Sequence, residues 1–336
     1  MISWPRADSL PLLTLSACAI TWPRRALVSE PDTTVELCGL TLRNPLILAS
    51  GIWGCSAGTL VRLAREGAGA VTSKSCSLNP RQGHPNPTAL DWGAGLINAI
   101  GLANPGATEE CAILREAKKG LAPLGVPLIA SVYGHSRTDF CEAVRLVAEA
   151  EPDFIELNIS CPNVEAEFGR PFALDPRAAS ALTAAVRAIY PGRLLVKLSP
   201  NTPDIVAVAR AVADAGADGL TAINTMPGMI IDVRARRPVL ANLVGGISGA
   251  ALRPIAVRCV YEITSAVDIP VIGTGGVLSG EDAMQMIMAG ATAVGIGSAL
   301  YYYGSGAFAR ILGELIALMR EEGYPNLRDL RGCAHV

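Results

Sequence analysis

The chain has 336 residues, of which 17% are charged and 50% hydrophobic, with 34 glycines and 23 prolines. That is enough for one large α/β domain and too apolar for a disordered one. A formal net charge of -2 gives no electrostatic footprint for nucleic acid or a membrane surface, so neither is expected as a partner. Nine cysteines occur without CxxC pairs or Cys/His clusters at zinc spacing, so no metal site is predicted. Their pattern fits a reduced cytoplasm better than a disulfide scaffold.

Residues 1–34 stand apart from the rest. The apolar run 10–21 is short, and Leu15-Ser16-Ala17-Cys18 resembles a bacterial lipoprotein cleavage site. Asp8 and Pro11 nevertheless sit where a signal peptide carries basic and helical residues, and the run is too short to span a bilayer. We expect an irregular N-terminal extension over 1–34 and a single domain over 35–336.

Residues 35–42 read as a hairpin turning at Cys38-Gly39. A strand over 46–50, a helical pattern through Leu60, Leu63 and Ala64, and a strand over 70–75 then form a βαβ unit. The rhythm continues with strands at 127–132, 154–160, 194–199, 219–225, 270–276 and 293–300. Asp175-Pro176 and Thr202-Pro203 each place a capping side chain before a proline suited to the first helical position. Ser279-Gly280-Glu281-Asp282 resembles a capping box. Eight strands with helices between most of them predict an eight-stranded (β/α)8 TIM barrel; a dinucleotide-binding sheet would want GxGxxG after its first strand, and none is present. Two connections, 76–126 and 226–269, are far longer than the others and each follows a strand, so both belong on the face that carries function.

Barrel chemistry draws on the C-terminal ends of several strands. Here these ends offer Ser50, Lys74, Ser131, Asn158 with Cys161, Lys197, Asn224 with Thr225, Gly275-Gly276 and Gly297-Ser298. Asn158 and Asn163 flank the Cys161 thiol at a strand exit, an arrangement able to hold a flat polar molecule and move one of its protons. The glycine turns after strands seven and eight suit a phosphate, although close helix–strand packing also selects glycine. A lysine inside a packed barrel is costly unless it meets an anion, and Lys74 and Lys197 lie on two different strands.

The segments Asn98-Ala99-Ile100-Gly101-Leu102-Ala103-Asn104-Pro105-Gly106, Glu156-Leu157-Asn158-Ile159-Ser160-Cys161-Pro162-Asn163, Val196-Lys197-Leu198-Ser199-Pro200-Asn201, Ile223-Asn224-Thr225 and Gly245-Gly246-Ile247-Ser248-Gly249 resemble the dihydroorotate dehydrogenase family, in order, from about residue 35 to near 320. The resemblance implies an FMN-containing barrel oxidising dihydroorotate to orotate in pyrimidine synthesis. It implies Cys161 as the base that takes a proton from C5 while hydride leaves C6 for flavin N5. It places Lys74, Asn98, Ala99, Ile100, Gly101, Leu102, Asn158, Asn163, Asn224 and Thr225 against substrate. It places Ser50, Lys74, Ser75, Ser131, Asn158, Lys197, Ile223, Gly249, Gly275, Gly276, Gly297 and Ser298 against FMN.

A cysteine rather than a serine at 161 is similar to the class 1 enzymes. The 223–232 segment and the short Phe168-Gly169 lid look like the NAD-linked class 1B catalytic subunit. That subclass implies a partner subunit carrying FAD and an iron–sulfur cluster, around a homodimer core of a heterotetramer. Ser131 departs from the family's usual asparagine, a shorter reach toward flavin. The lid lacks the glycine pair common in the subclass, and His84, His135 and His335 match nothing catalytic. The competing readings are a fumarate-using class 1A enzyme, a flavin barrel acting on another dihydropyrimidine, and a catalytically idle barrel serving as a scaffold.

Overall fold

The computed structural model describes residues 30–159 and 171–336. The N-terminal apolar run, Cys161, Asn163 and the Phe168-Gly169 lid lie outside the described residues. Eight parallel strands form the central sheet: β1 (Leu46–Leu48), β2 (Val71–Thr72), β3 (Leu128–Val132), β4 (Phe154–Asn158), β5 (Leu194–Lys197), β6 (Gly219–Ala222), β7 (Val271–Thr274) and β8 (Ala293–Ile296). Each pairs with its sequence neighbour from β2 round to β8, and β8 pairs with β1. The circle is completed by the parallel bridge between Ile47 and Ala70, with the Leu48 amide donating to the Ala70 carbonyl at 3.0 Å. This is the expected barrel.

Helices α1 (Ala57–Arg65), α2 (Ala107–Leu121), α3 (Arg137–Ala148), α4 (Pro176–Arg187), α5 (Ile205–Asp214), α6 (Arg253–Thr264) and α7 (Gly280–Met288) each link one strand to the next. After β8 come α8 (Ala299–Tyr303) and α9 (Ala307–Glu322). Asp175 caps α4 and the Ser279/Asp282 capping box opens α7, both as expected. The helix expected from Thr202-Pro203 begins later, at Ile205, because the Asp204 carboxylate accepts from the Ala207 amide at 2.9 Å. A carboxylate at a helix N-terminus satisfies an orphan donor and complements the dipole. Several strands also stop sooner than their apolar runs. The 219–225 run ends as strand at Ala222, and in the 293–300 run the chain is helical from Ala299. Beyond the rim a strand has no neighbour to complete its ladder, so the chain turns.

Along each strand, side chains alternate between the barrel interior and the helix layer. Interior positions stack into layers. At the N-terminal end Ile47, Ile129, Phe154, Leu195, Ile272 and Ala293 pack with Leu37 and Leu42 of the hairpin Val35–Leu37/Leu40–Leu42, which closes that end. Each such buried Leu, Ile or Phe contributes roughly 2 kcal/mol of hydrophobic stabilisation. The next layer up is polar, with Ser131, Glu156, Thr221 and Thr274. Asn158 and Lys197, paired across β4 and β5, stand above it at the C-terminal rim.

The two long connections carry strands of their own. They supply a four-stranded antiparallel sheet in the order Met226–Gly228, Gly245–Ser248, Leu96–Asn98, Ala89–Asp91. The pairing is non-local, and no local periodicity announces it. Because Met226 follows β6 by only a few residues, this sheet stands on the C-terminal face.

Candidate active site

The barrel brings the strand-end residues to one rim. Lys197 is buried at the last position of β5, and its ammonium donates to the Ser50 hydroxyl beyond β1 at 3.0 Å. That bond crosses the mouth. Among the described residues no carboxylate lies within ion-pair distance of Lys197. Lys74, half-buried just beyond β2, has its pKa lowered by burial. The positive charge of Lys197 adds to that shift, and Cys55 and Glu110 oppose it. Two cations therefore stand near each other at one rim with little negative charge to neutralise them, a donor set that suits an anionic ligand.

Beneath the lysines the Asn158 amide donates to Ser75 Oγ at 3.1 Å, and Ser75 and Ser131 share a 2.9 Å hydroxyl–hydroxyl bond. Ser131 then donates to Glu156 Oε1 at 3.0 Å, and Thr221 donates to Oε2 at 2.9 Å. Ser131 is fully buried, and its hydroxyl is committed inside the barrel rather than to the rim. Thr274 Oγ1, at the end of β7, is buried without a hydrogen-bond partner.

The antiparallel sheet supplies the other wall. Asn98 ends one of its strands opposite Gly246, and a Cβ at Gly246 would run into the Thr225 hydroxyl. Close approach of backbone to Thr225 thus requires glycine there. Asn224 Oδ1 accepts from the Thr225 amide at 2.8 Å, and Asn201 donates to the Thr225 carbonyl at 3.2 Å. Ile223 follows β6 and its amide donates to the Thr274 carbonyl at 2.8 Å. The stretch Ala99-Ile100-Gly101-Leu102 is braced from behind. His84 Nδ1 lies 3.2 Å from the Ala99 carbonyl, and the His84 amide donates to the Ile100 carbonyl at 3.0 Å. Asn104 donates to the Leu102 carbonyl at 2.9 Å and to the Tyr133 hydroxyl at 2.9 Å. His84, Asn104 and Tyr133 are missing from the sequence-based site because they act by bracing the Ala99–Leu102 backbone and one another, which no local pattern reveals.

The glycine turns divide into two kinds. A Cβ at Gly276 would lie 2.6 Å from the Gly249 carbonyl oxygen, and one at Gly275 would lie 2.7 Å from Ala256. These two glycines, with positive φ, let the β6 and β7 loops close together. Gly297 differs: a Cβ there would meet only Ala49, at 3.8 Å. Packing does not demand glycine at that position, and the space beside Gly297 and Ser298 is open to a ligand.

Glu110, in the first turn of α2, is buried with neither carboxylate oxygen hydrogen-bonded. Burial pushes its pKa up to about 7, against the pull of the Ser73 hydroxyl and the Lys74 ammonium. A carboxylate whose folded pKa is raised opposes folding once ionised. The penalty is absent below about pH 4.5, grows through the interval to 7, and is complete above it. Glu110→Gln is therefore expected to stabilise the protein at pH 8 by on the order of 3 kcal/mol and to change little at pH 5. Urea melts at the two pH values test this, and equal effects at both would sink it.

The chain matches the family described as dihydroorotate dehydrogenase over residues 33–319. It is 43% identical over 300 residues to the dihydroorotate dehydrogenase B (NAD(+)) catalytic subunit of Methanocaldococcus jannaschii, covering 89% of this chain and 97% of that one. It is 45% identical over 301 residues to the same-named subunit of Methanothermobacter thermautotrophicus, with 89% and 97% covered. The Geobacter sulfurreducens subunit of that name is 41% identical over 310 residues, with 92% and 100% covered. A match of this extent, laid over a barrel whose strand ends converge on two lysines and a set of amides, makes the chain a member of the dihydroorotate dehydrogenase family.

Proposed function

We propose that this chain is the catalytic subunit of an NAD-linked dihydroorotate dehydrogenase, converting (S)-dihydroorotate to orotate in the synthesis of UMP. Dehydrogenases of this family are FMN-dependent flavoproteins. The residues fit that group: Lys197, Lys74, Ser50, Ser75, Asn158 and Ile223 around the ring, with Gly249, Gly275, Gly276, Gly297 and Ser298 for its phosphate. FMN, when bound, accepts the hydride.

The chain's own residues supply the rest. Cys161, on the segment following β4, takes the C5 proton; because C5 adjoins a carbonyl, its loss builds enolate charge. Lys74 and the amides of Asn98, Asn158, Asn163 and Asn224 are the donors available to stabilise that charge and the substrate carboxylate. The Ala99–Leu102 backbone and Thr225 shape the cleft. The observation that carries this reading is the pair of weakly neutralised lysines standing near each other at the barrel rim.

Electrons then leave through a partner subunit bearing FAD and an iron–sulfur cluster, around a homodimeric core of this chain. Supporting that, the curated relatives are named as catalytic subunits of the NAD(+) enzyme. No described helix is long and apolar enough to cross a membrane, and the described cysteines are all free thiols. We place the enzyme in the cytoplasm, as a domain over 35–336 preceded by an extension.

Purified protein should be yellow, with a flavin spectrum that dihydroorotate bleaches anaerobically and dihydrouracil does not. A colourless preparation that fails to bind added FMN would sink the reading, and bleaching by dihydrouracil instead would reassign the substrate.

A further inference from the structure

Four side chains run in series from the rim to the centre of the barrel: Asn158, Ser75, Ser131 and Glu156. Each hydroxyl has one proton to donate. A carboxylate only accepts, so Ser131 spends its proton on Glu156 Oε1. Ser131 must then accept from Ser75, and Ser75, its proton used, must accept from Asn158. The 2.9 Å Ser75–Ser131 bond is thereby given a direction that distance alone leaves open. Thr221 donates to Oε2 and holds the carboxylate from the other side.

We propose that Glu156 is a positioning residue that fixes the polarity of this chain and so dictates which way the Asn158 amide faces. Its Nδ2 is held toward Ser75, and its Oδ1 is turned away from the chain, as the acceptor for an N–H of the bound pyrimidine ring. Without an obligate acceptor at the buried end the hydroxyl protons could reverse. Asn158 could then flip, presenting donors where the ring also presents a donor. The proposal rests on the dihydroorotate reading of the same site. It deepens that reading by naming the group on the ligand that Asn158 reads.

Ser131→Ala cuts the chain at its middle with a small loss of volume. Titrating the FMN-loaded enzyme with orotate, followed by the flavin absorbance change, is expected to show Kd raised by about 10-fold, the loss of one well-oriented hydrogen bond. KM for dihydroorotate should rise more than kcat falls. Ser131→Thr, which keeps the hydroxyl, should recover most of the affinity, and Glu156→Gln, whose amide can donate, should weaken orotate as Ser131→Ala does.

The decisive comparison is Ser131→Ala made in an Asn158→Ala background, where it should cost nothing further because the reporter is gone. An equal cost in both backgrounds, or wild-type affinity in Ser131→Ala, would overturn the proposal. If wild-type holoenzyme gives no orotate signal, the dihydroorotate reading and this inference fall together. A wild-type signal that Ser131→Ala leaves intact overturns this inference alone.

Discussion

Cys161→Ala is expected to abolish turnover of dihydroorotate, by about 1,000-fold or more, while the protein stays yellow. General-base catalysis typically supplies a factor of 100 to 10,000, and alanine leaves no group able to take the C5 proton. The thiol needs its thiolate form, so wild-type activity should rise with pH along a limb set by Cys161. The variant's residual rate should not follow that limb. The measurements are steady-state rates across pH and the flavin absorbance of the purified variant. A normal rate in Cys161→Ala would remove the assigned base and, with it, this mechanism. Loss of flavin together with activity would instead mean that the residue serves binding.

Lys197→Met is expected to have opposite effects on the two forms of the protein. In the apoprotein Lys197 is a buried ammonium bonded to one neutral hydroxyl, and among the described residues no carboxylate pairs with it. Removing an uncompensated buried charge and filling its volume with an apolar chain is stabilising or neutral, so the apoprotein should unfold at the same or a higher temperature. In the holoprotein the same change would delete the charge-assisted hydrogen bond to FMN proposed above for Lys197. Affinity should fall by roughly 10- to 100-fold, and the rise in Tm on adding FMN should shrink accordingly. Thermal melts with and without FMN decide the matter. A lysine with a purely structural role would lower stability in both forms and leave the FMN-dependent shift as it was.

The sequence carried much of this architecture because barrel strands are short apolar runs punctuated by glycine and by good caps. Asp175-Pro176 and the Ser279/Asp282 pair behaved as local rules require. Thr202-Pro203 misled because a better acceptor, Asp204, stands two residues on. The rim residues Lys197, Asn158 and Asn224 were legible as polar side chains at strand exits. Glu110 was not. It follows Glu109 at the start of a helix, where acids ordinarily face water, and only the packing of α2 turns one inward and leaves the other exposed. Tyr133 was equally hidden, since an aromatic residue at a strand end looks like core until its hydroxyl is seen 2.9 Å from Asn104. The sheet over the mouth could not be read at all, because its central pairing, Leu96–Asn98 with Gly245–Ser248, joins two segments far apart in the chain.

That sheet bears on how such a barrel can be divided. Eight-stranded barrels lend themselves to being cut into two four-stranded halves, each keeping its own layer of helices. Here the first half would hold Asn98 with its neighbour Ala89–Asp91 and the second Gly246 with its neighbour Met226–Gly228, and the four-stranded wall exists only where these two pairs join across the cut. Joining them closes a loop that contains four barrel strands, a long-range contact whose entropy must be met before the wall exists. A half-barrel of this chain could inherit lysines or amides, but not the cleft between them. The unit that duplication or recombination can move with its chemistry intact is the whole barrel.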